Sequence, residues 1–192
     1  RMKRAILEKN RIEAISDGIY AIAMTLAVLS IDVDAELPTH ESLLEALPGM
    51  LMQLRHYIVS FITLAAFWIG QHYLMDRIKK TDTALNWIVL IHLLFIAIIP
   101  ATTGVIGNFD SILAVRIFVI NIFLISLTIV IEHTYVRRHE ELGTSMELQK
   151  HIPFGFLILP GFSVVVFFLA VPLEDWATLF YVLMPVMRKK LT

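Results

Sequence analysis

Residues 11–31 read RIEAISDGIYAIAMTLAVLSI, and this stretch sets the interpretation of the whole sequence. From Ile15 to Ile31 it is almost entirely apolar, and a membrane-spanning helix needs about 17–25 such residues. Its polar side chains, among them Arg11 and Asp17, are concentrated near its beginning. We therefore predict a transmembrane helix that begins before the apolar run, near Glu8, and has one polar end.

Five further stretches are apolar enough to span a membrane. They are residues 50–75, 85–106, 112–131, 152–171 and a weaker one from 173 to about 187. The last would reach only about 22 Å as a helix, against a hydrocarbon core of about 30 Å. The chain of 192 residues is 57% hydrophobic and 17% charged, whereas a soluble domain is about 45–50% apolar and about 25% charged. The composition thus predicts an all-α integral membrane protein with a single domain, residues 1–192.

The lysine and arginine residues alternate between the ends of these spans. Five precede the first span, three lie within each of the segments 76–83, 136–151 and 188–192, and the three intervening loops contain none. Only Arg55 and Arg116 fall inside spans. Cytoplasmic loops carry the excess of basic residues, so both termini are predicted to be cytoplasmic. The alternation requires six crossings, which supports the short sixth span.

The sequence lacks the motifs that several classes of function require. The sequence has no TVGYG stretch for a carbonyl-lined filter, no catalytic or nucleotide-binding motif and no cysteine. The net charge of −1 gives no basic surplus for nucleic acid. We expect no enzymatic activity, no metal site and no cofactor. The loops on the non-cytoplasmic side are acidic, which fits either simple solvation or a mouth that concentrates cations.

The apolar part of the first helix carries a stripe of large side chains. Ile22, Leu26 and Leu29 follow the spacing i, i+4, i+7, so they lie on one helix face, and Thr25 borders them. Small residues form a second ridge that would allow close helix packing; they are Ala14, Gly18, Ala21 and Thr25. By spacing alone, the large stripe faces either lipid or a neighbouring helix.

Polar residues gather at the depth where the first helix meets the cytoplasmic side. Ser16 or Asp17 could simply cap a helix start. Alternatively, ionisable residues within a span find partners in neighbouring helices. The second and third spans supply such partners at the same depth, together with Trp68. We therefore predict one buried polar layer, formed by Arg11, Ser16, Asp17, His72 and Asn86.

These residues resemble a known signature. The pattern Arg11-x-x-x-Ile15-Ser16-Asp17-Gly18, the following run to Leu26, Trp68-x-x-x-His72 and Asn86 are similar to the transmembrane protein 175 family. Its members are potassium-permeable channels unrelated to the pore-loop channels. One departure is visible, because Ile15 stands where the family signature has phenylalanine.

The resemblance implies an architecture and a pore. Prokaryotic members of this family have six spans and assemble as tetramers, and the first helix of each subunit lines the pore. Carried over by position, the narrowest ring is Ile22, with Leu26 and Leu29 further out. Thr25 would supply a competing ring of hydroxyl groups for potassium selectivity. Whether Ile22 selects ions or only gates the pore stays open.

We accordingly expect a homotetrameric, potassium-selective channel in a prokaryotic cell membrane, with potassium as the permeant ion. The first alternative is a proton leak or a secondary transporter in which Asp17 and His72 carry protons. The second is a structural or sensor protein in which the stripe at Ile22 only packs.

Overall fold

The computed structural model describes residues 6–31, 40–109, 111–142 and 154–183. The predicted start of the fifth span, the end of the sixth span and the basic tail lie outside the described residues. So do most of the acidic residues predicted between the first two spans, and Asp110. The described helices are α1 (Lys9–Leu26), α2 (His40–Met75), α3 (Thr83–Asn108), α4 (Ile112–Arg138) and α5 (Phe154–Leu173).

Short elements connect and extend these helices. The 3₁₀ turns are Ala27–Ser30, Glu140–Leu142 and Glu174–Leu183. Strands β1 (Ile6–Leu7) and β2 (Thr81–Asp82) form one antiparallel pair.

Five helical segments in the described part are long and apolar enough to cross a membrane. They are Lys9–Ser30, Leu44–Met75, Thr83–Asn108, Ile112–Arg138 and Leu159–Leu183. The prediction of an all-α membrane protein is therefore confirmed. The first predicted span corresponds to α1 and its 3₁₀ extension, and the predicted start near Glu8 agrees with the observed N-cap at that residue.

The centre of the bundle is the contact between α3 and α4. Leu93, Ile96 and Ile99 of α3 are fully buried, as are Ile122 and Ile125 of α4. Two capping side chains define where these helices begin. The Leu85 N–H donates to Asp82 at 2.8 Å, and the Leu113 N–H donates to Ser111 at 3.2 Å. The hydroxyl of Tyr135, near the end of α4, donates to Asp82 at 2.7 Å, so the two helices run antiparallel.

The last described span reverses direction at Glu174. The rings of Phe162 and Tyr181 are 5.8 Å apart, whereas residues 19 positions apart on a straight helix would be separated by about 28 Å. Glu174 has a φ angle of 49°, which is the left-handed region used in tight turns. The segment Glu174–Leu183 therefore runs back alongside α5 instead of extending it.

Arg55, one of the two arginines within the predicted spans, holds this turn. Its guanidinium pairs with the carboxylate of Asp175 and stacks 4.2 Å from the ring centre of Trp176. His56 Nε2 lies 3.3 Å from the same carboxylate. The pairing explains how a charged side chain is tolerated in a span, because its counter-charge comes from the turn.

Candidate functional site

Helix α1 has two distinct faces. One face packs against the rest of the chain through the buried residues Ile12, Ser16, Tyr20 and Ala23. The other face is uncovered by the described part of the chain. On it, Ile22 is 58% exposed and Leu26 is 45% exposed.

Leu29, the third member of the predicted stripe, is 75% exposed. It lies in the 3₁₀ turn Ala27–Ser30 rather than in α1. In a 3₁₀ helix side chains at i and i+3 eclipse each other, so the tighter winding keeps Leu29 in line with Leu26. The stripe predicted from α-helical spacing thus remains continuous across the change of helix type.

Thr25 is exposed on the same side as Ile22. Its hydroxyl donates to the backbone of its own helix, at 3.0 Å from the Ala21 carbonyl and 2.9 Å from the Ile22 carbonyl. The proton is therefore directed inward, and the oxygen lone pairs remain available to a cation or a water molecule.

The predicted small-residue ridge faces away from the chain's own helices. Ala14, Gly18, Ala21 and Thr25 are all exposed, and a Cβ atom at Gly18 would meet nothing within 4 Å. The close approach of α1 to the bundle uses Ala23 and Ala27 instead, which are 2% and 0% exposed.

Three of the predicted polar residues meet between α1 and α2. The indole N–H of Trp68 donates to Asp17 Oδ1 at 2.9 Å, and His72 Nδ1 lies 3.8 Å from the same oxygen. The rings of Trp68 and His72 are 4.6 Å apart. About half of the Asp17 side chain is exposed, at 50%, and His72 is 45% exposed. We call these three residues the Asp17 cluster.

The other predicted members of the polar layer lie elsewhere. Ser16 is buried on the opposite face of α1 and donates to the Ile12 carbonyl at 2.8 Å. Arg11 is exposed, and Asn86 is half-buried. The Asn86 side-chain oxygen is shielded from solvent and has no hydrogen-bond partner among the described residues.

The expectation of a single buried layer within one chain is therefore corrected. Ser16 and Asp17 are adjacent, and adjacent residues of an α-helix point about 100° apart. They cannot both face the same neighbour, so the structure separates a buried serine from an exposed aspartate.

A buried polar cluster that the sequence analysis did not identify joins α1 to α3 and α4. The Tyr20 hydroxyl lies 2.7 Å from His92 Nε2, and His92 Nδ1 lies 2.9 Å from the Thr128 hydroxyl. Thr128 donates to the Ile125 carbonyl at 2.8 Å. These contacts are all satisfied when Tyr20 donates to Nε2 and Nδ1–H donates to Thr128. We call Tyr20, His92 and Thr128 the Tyr20 relay.

Two more buried groups adjoin the relay. Glu132 lies with Oε1 3.9 Å from His92 Nδ1, and both residues are fully buried. The carboxylate of Glu132 adjoins the side chain of Gln71, which is also buried. The signal in the sequence was His92, a single ionisable residue within a strongly apolar span, together with Thr128 and Glu132 at i and i+4 on one face of α4.

Part of the chain matches a known protein family. The family model described as "Endosomal/lysosomal potassium channel TMEM175" matches residues 11–100. A potassium channel of Streptomyces collinus is 33% identical over 103 residues, which cover 53% of this chain and 49% of that protein. A potassium channel of Chryseobacterium is 38% identical over 103 residues, covering 53% and 50%. The chain thus spans about half the length of these relatives.

Two further proteins extend the comparison. The human endosomal/lysosomal proton channel TMEM175 is 30% identical over 134 residues, which cover 63% of this chain and 26% of that protein. A crystal structure of a lysosomal potassium-selective channel TMEM175 homolog from Chamaesiphon minutus has a TM-score of 0.76, at 21% identity, and covers 95% of both chains. At that identity the structural likeness establishes the fold.

The matched region contains every residue of the motif, from Arg11 in α1 to Asn86 in α3. The bacterial relatives and the apolar helices indicate a multi-pass protein of the prokaryotic cell membrane. A little less than half of the chain, residues 11–100, therefore matches the TMEM175 family.

Proposed function

We propose that this protein is a homotetrameric, potassium-selective cation channel whose ion path is lined by the uncovered face of α1. The main support for this proposal is that Ile22, Leu26 and Leu29 are exposed on the side of α1 that the described part of the chain leaves uncovered. Four copies arranged around an axis would bury this face and place Ile22 in its narrowest ring. The names of the bacterial relatives, which are called potassium channels, support the ion. No cofactor is needed.

An apolar ring imposes a physical condition on conduction. A bare ion in an apolar medium loses tens of kcal/mol of solvation by Born estimates. Potassium therefore keeps most of its water at Ile22, or the ring widens when the channel opens. Hydrophobic constrictions also close pores by dewetting. Thr25, one turn further along and exposed on the same side, offers hydroxyl oxygens as the alternative filter.

We also propose six crossings with both termini in the cytoplasm. The alternation of basic residues supports this topology. The return of Glu174–Leu183 along α5 supports a sixth crossing, because the chain heads back toward the side from which α5 came. Of the acidic residues on the proposed outer side, Asp175 is paired with Arg55. Its charge is therefore unavailable to attract cations, while Glu174 is exposed.

The test is ion flux into liposomes that contain the purified protein, with potassium and sodium measured separately. The variant Ile22→Asn is compared with Ile91→Asn, since Ile91 is an exposed isoleucine of α3 that lies outside the proposed path. We expect Ile22→Asn to increase flux, because four amides stabilise water in the ring, while Ile91→Asn leaves flux unaltered.

The same assay distinguishes whether the Ile22 ring selects ions or only gates the pore. If the Ile22 ring filters ions, Ile22→Asn admits sodium and Thr25→Ala leaves the potassium preference intact. If Thr25 filters, the preference survives in Ile22→Asn and is lost in Thr25→Ala. Wild-type flux and ion preference in both variants would contradict a pore lined by α1.

A second candidate is a proton leak or transporter that uses Asp17 and His72. Asp17 and His72 lie 3.8 Å apart and half-exposed, and mammalian relatives are named proton channels. In this case a proton gradient across the liposome would collapse in the wild type and persist in Asp17→Asn. Potassium flux that is unchanged by Asp17→Asn, combined with lost proton flux, would favour this alternative.

A further inference from the structure

Arg116, near the beginning of α4, differs from the other arginine within the spans. Arg55 is paired with Asp175. Arg116 makes no ion pair with any acidic residue in the part of the chain that the structure describes. Ionisable side chains within a span usually find a polar partner, and near the end of a span lipid headgroups are one source of counter-charge.

The position of the guanidinium limits what can supply that charge. The guanidinium carbon lies 4.9 Å from the ring centre of Phe167 on α5. The Nε atom of Arg116 is shielded from solvent and has no hydrogen-bond partner among the described residues. The aromatic face attracts the cation but accepts few of its five N–H bonds. The remaining donors match an oxyanion, which arginine binds with two parallel hydrogen bonds.

An apolar groove begins one helical turn deeper in the membrane. It has a volume of about 230 Å³ and runs between α4 and α5; its walls are Val119, Ile120, Phe123, Ser163, Val164 and Phe167. The Ser163 hydroxyl donates to the Leu159 carbonyl at 3.1 Å. The lining of the groove is therefore apolar where a bound molecule would contact it.

The charge and the groove are aligned. Arg116, Ile120 and Phe123 follow the spacing i, i+4, i+7 on one face of α4. Because α5 is antiparallel to α4, Phe167 also lies one turn nearer the membrane surface than Ser163. Arg116 is four residues from the first residue of α4, which places it about 6 Å along the helix axis. A side chain at that depth reaches the headgroup region by extending outward.

We propose that Arg116 and this groove form a binding site for one phospholipid, with its phosphate on the guanidinium and an acyl chain between α4 and α5. The site lies in the leaflet opposite Arg137 and Arg138, and it does not depend on whether α1 conducts ions. Charge complementarity selects a phosphate-bearing lipid over a neutral one.

The experiment measures the apparent dissociation constant of the first lipid bound to the detergent-purified protein by native mass spectrometry. The probes are phosphatidylglycerol and a diacylglycerol with the same acyl chains. For Arg116→Gln we expect about tenfold weaker phosphatidylglycerol binding, which corresponds to about 1.4 kcal/mol, and unchanged diacylglycerol binding. Arg138→Gln is the matched control, an exposed arginine at the other end of the same helix, and should retain wild-type binding.

A second variant tests the groove without touching the charge. Val164 is 45% exposed, and Val164→Trp fills the groove from α5. Both lipids should then bind about tenfold more weakly, by loss of the acyl-chain contact. Because the variants alter different helices, a loss of fold in one, detected by circular dichroism, leaves the other to decide.

Two results would overturn the proposal. One is phosphatidylglycerol binding within twofold of wild type in the folded variants. The other is a reduced number of subunits in either variant, which would identify the groove as a contact between copies of the chain.

Discussion

Single residues in this protein take their roles from the helix face they occupy. Asp17 and Ser16 are neighbours, yet Asp17 accepts from Trp68 on α2 while Ser16 donates to the Ile12 carbonyl within its own helix. Both Asp17 and His72 are half-exposed, so an ion pair between them, at 3.8 Å, stabilises the fold by about 0–1 kcal/mol at most. The hydrogen bond from Trp68 is the stronger connection between α1 and α2.

This comparison leads to a prediction for Asp17. Replacing Asp17 by alanine should lower the free energy of unfolding by about 0.5–1.5 kcal/mol, because the Trp68 N–H loses its acceptor. Asp17→Asn retains an oxygen at the same position and should lose less. Thermal melting followed by tryptophan fluorescence, together with potassium flux, measures both effects. An unchanged melting curve in Asp17→Ala would show that the residue does not support the fold.

At the scale of elements, the Tyr20 relay connects the buried face of α1 to α3 and α4. The buried face of α1 is otherwise narrow, with Ala23 and Ala27 allowing the helix to lie close to the bundle. The bond from Tyr20 to His92 at 2.7 Å is thus a specific polar connection between α1 and α3 in a mainly apolar contact. If the opposite face of α1 lines a pore, this connection positions Ile22 relative to the rest of the chain.

Tyr20→Phe removes that hydroxyl and keeps the ring. We expect a loss of about 0.6 kcal/mol, and at most about 1.7 kcal/mol, the range found for hydrogen bonds between helices in membranes. Tyr57→Phe on α2 is the matched control, because Tyr57 packs against Phe61 at 6.0 Å and its hydroxyl has no hydrogen bond with any described residue. Equal unfolding free energies for the two variants would show that the relay contributes no stability.

On the scale of the whole molecule, the topology can be tested directly because the chain has no cysteine of its own. We predict that cysteines at Thr39 and Phe109 react with an impermeant reagent from outside the cell. Cysteines at Glu140 and Lys150 should react only after the membrane is opened, since α4 separates Phe109 from Glu140. Labelling of Thr39 and Lys150 from the same side would contradict the six-span arrangement.

The described spans differ from their predicted bounds mainly at their ends. Helix α2 begins at His40, ten residues before the predicted span, and contains Pro48. Proline is favoured in the first turn of a helix and disfavoured further in, so local sequence preference did not predict that Pro48 lies inside α2. The last described span continues through Leu173 and reverses at Glu174, just after the position where the sixth span was predicted to begin.

The sequence by itself determined the membrane class, the approximate positions of the spans and the basic alternation. These properties follow from the apolar length that a bilayer requires and from the distribution of charge among loops. It also located the motif residues from Arg11 to Asn86, which the family match contains.

Only the tertiary structure decided which side of each helix is covered. In a membrane, the surfaces that face lipid and those that face other helices are both apolar, so periodicity cannot distinguish them. The exposed stripe at Ile22 and the buried pair Tyr20–His92 belong to opposite faces of one apolar helix. Likewise, the pairing of Arg55 with Asp175, 120 residues away, depends on how the turn at Glu174 packs against α2. Arg116 and Arg55 look alike in the sequence, and the structure separates them because only one has an acidic neighbour among the described residues.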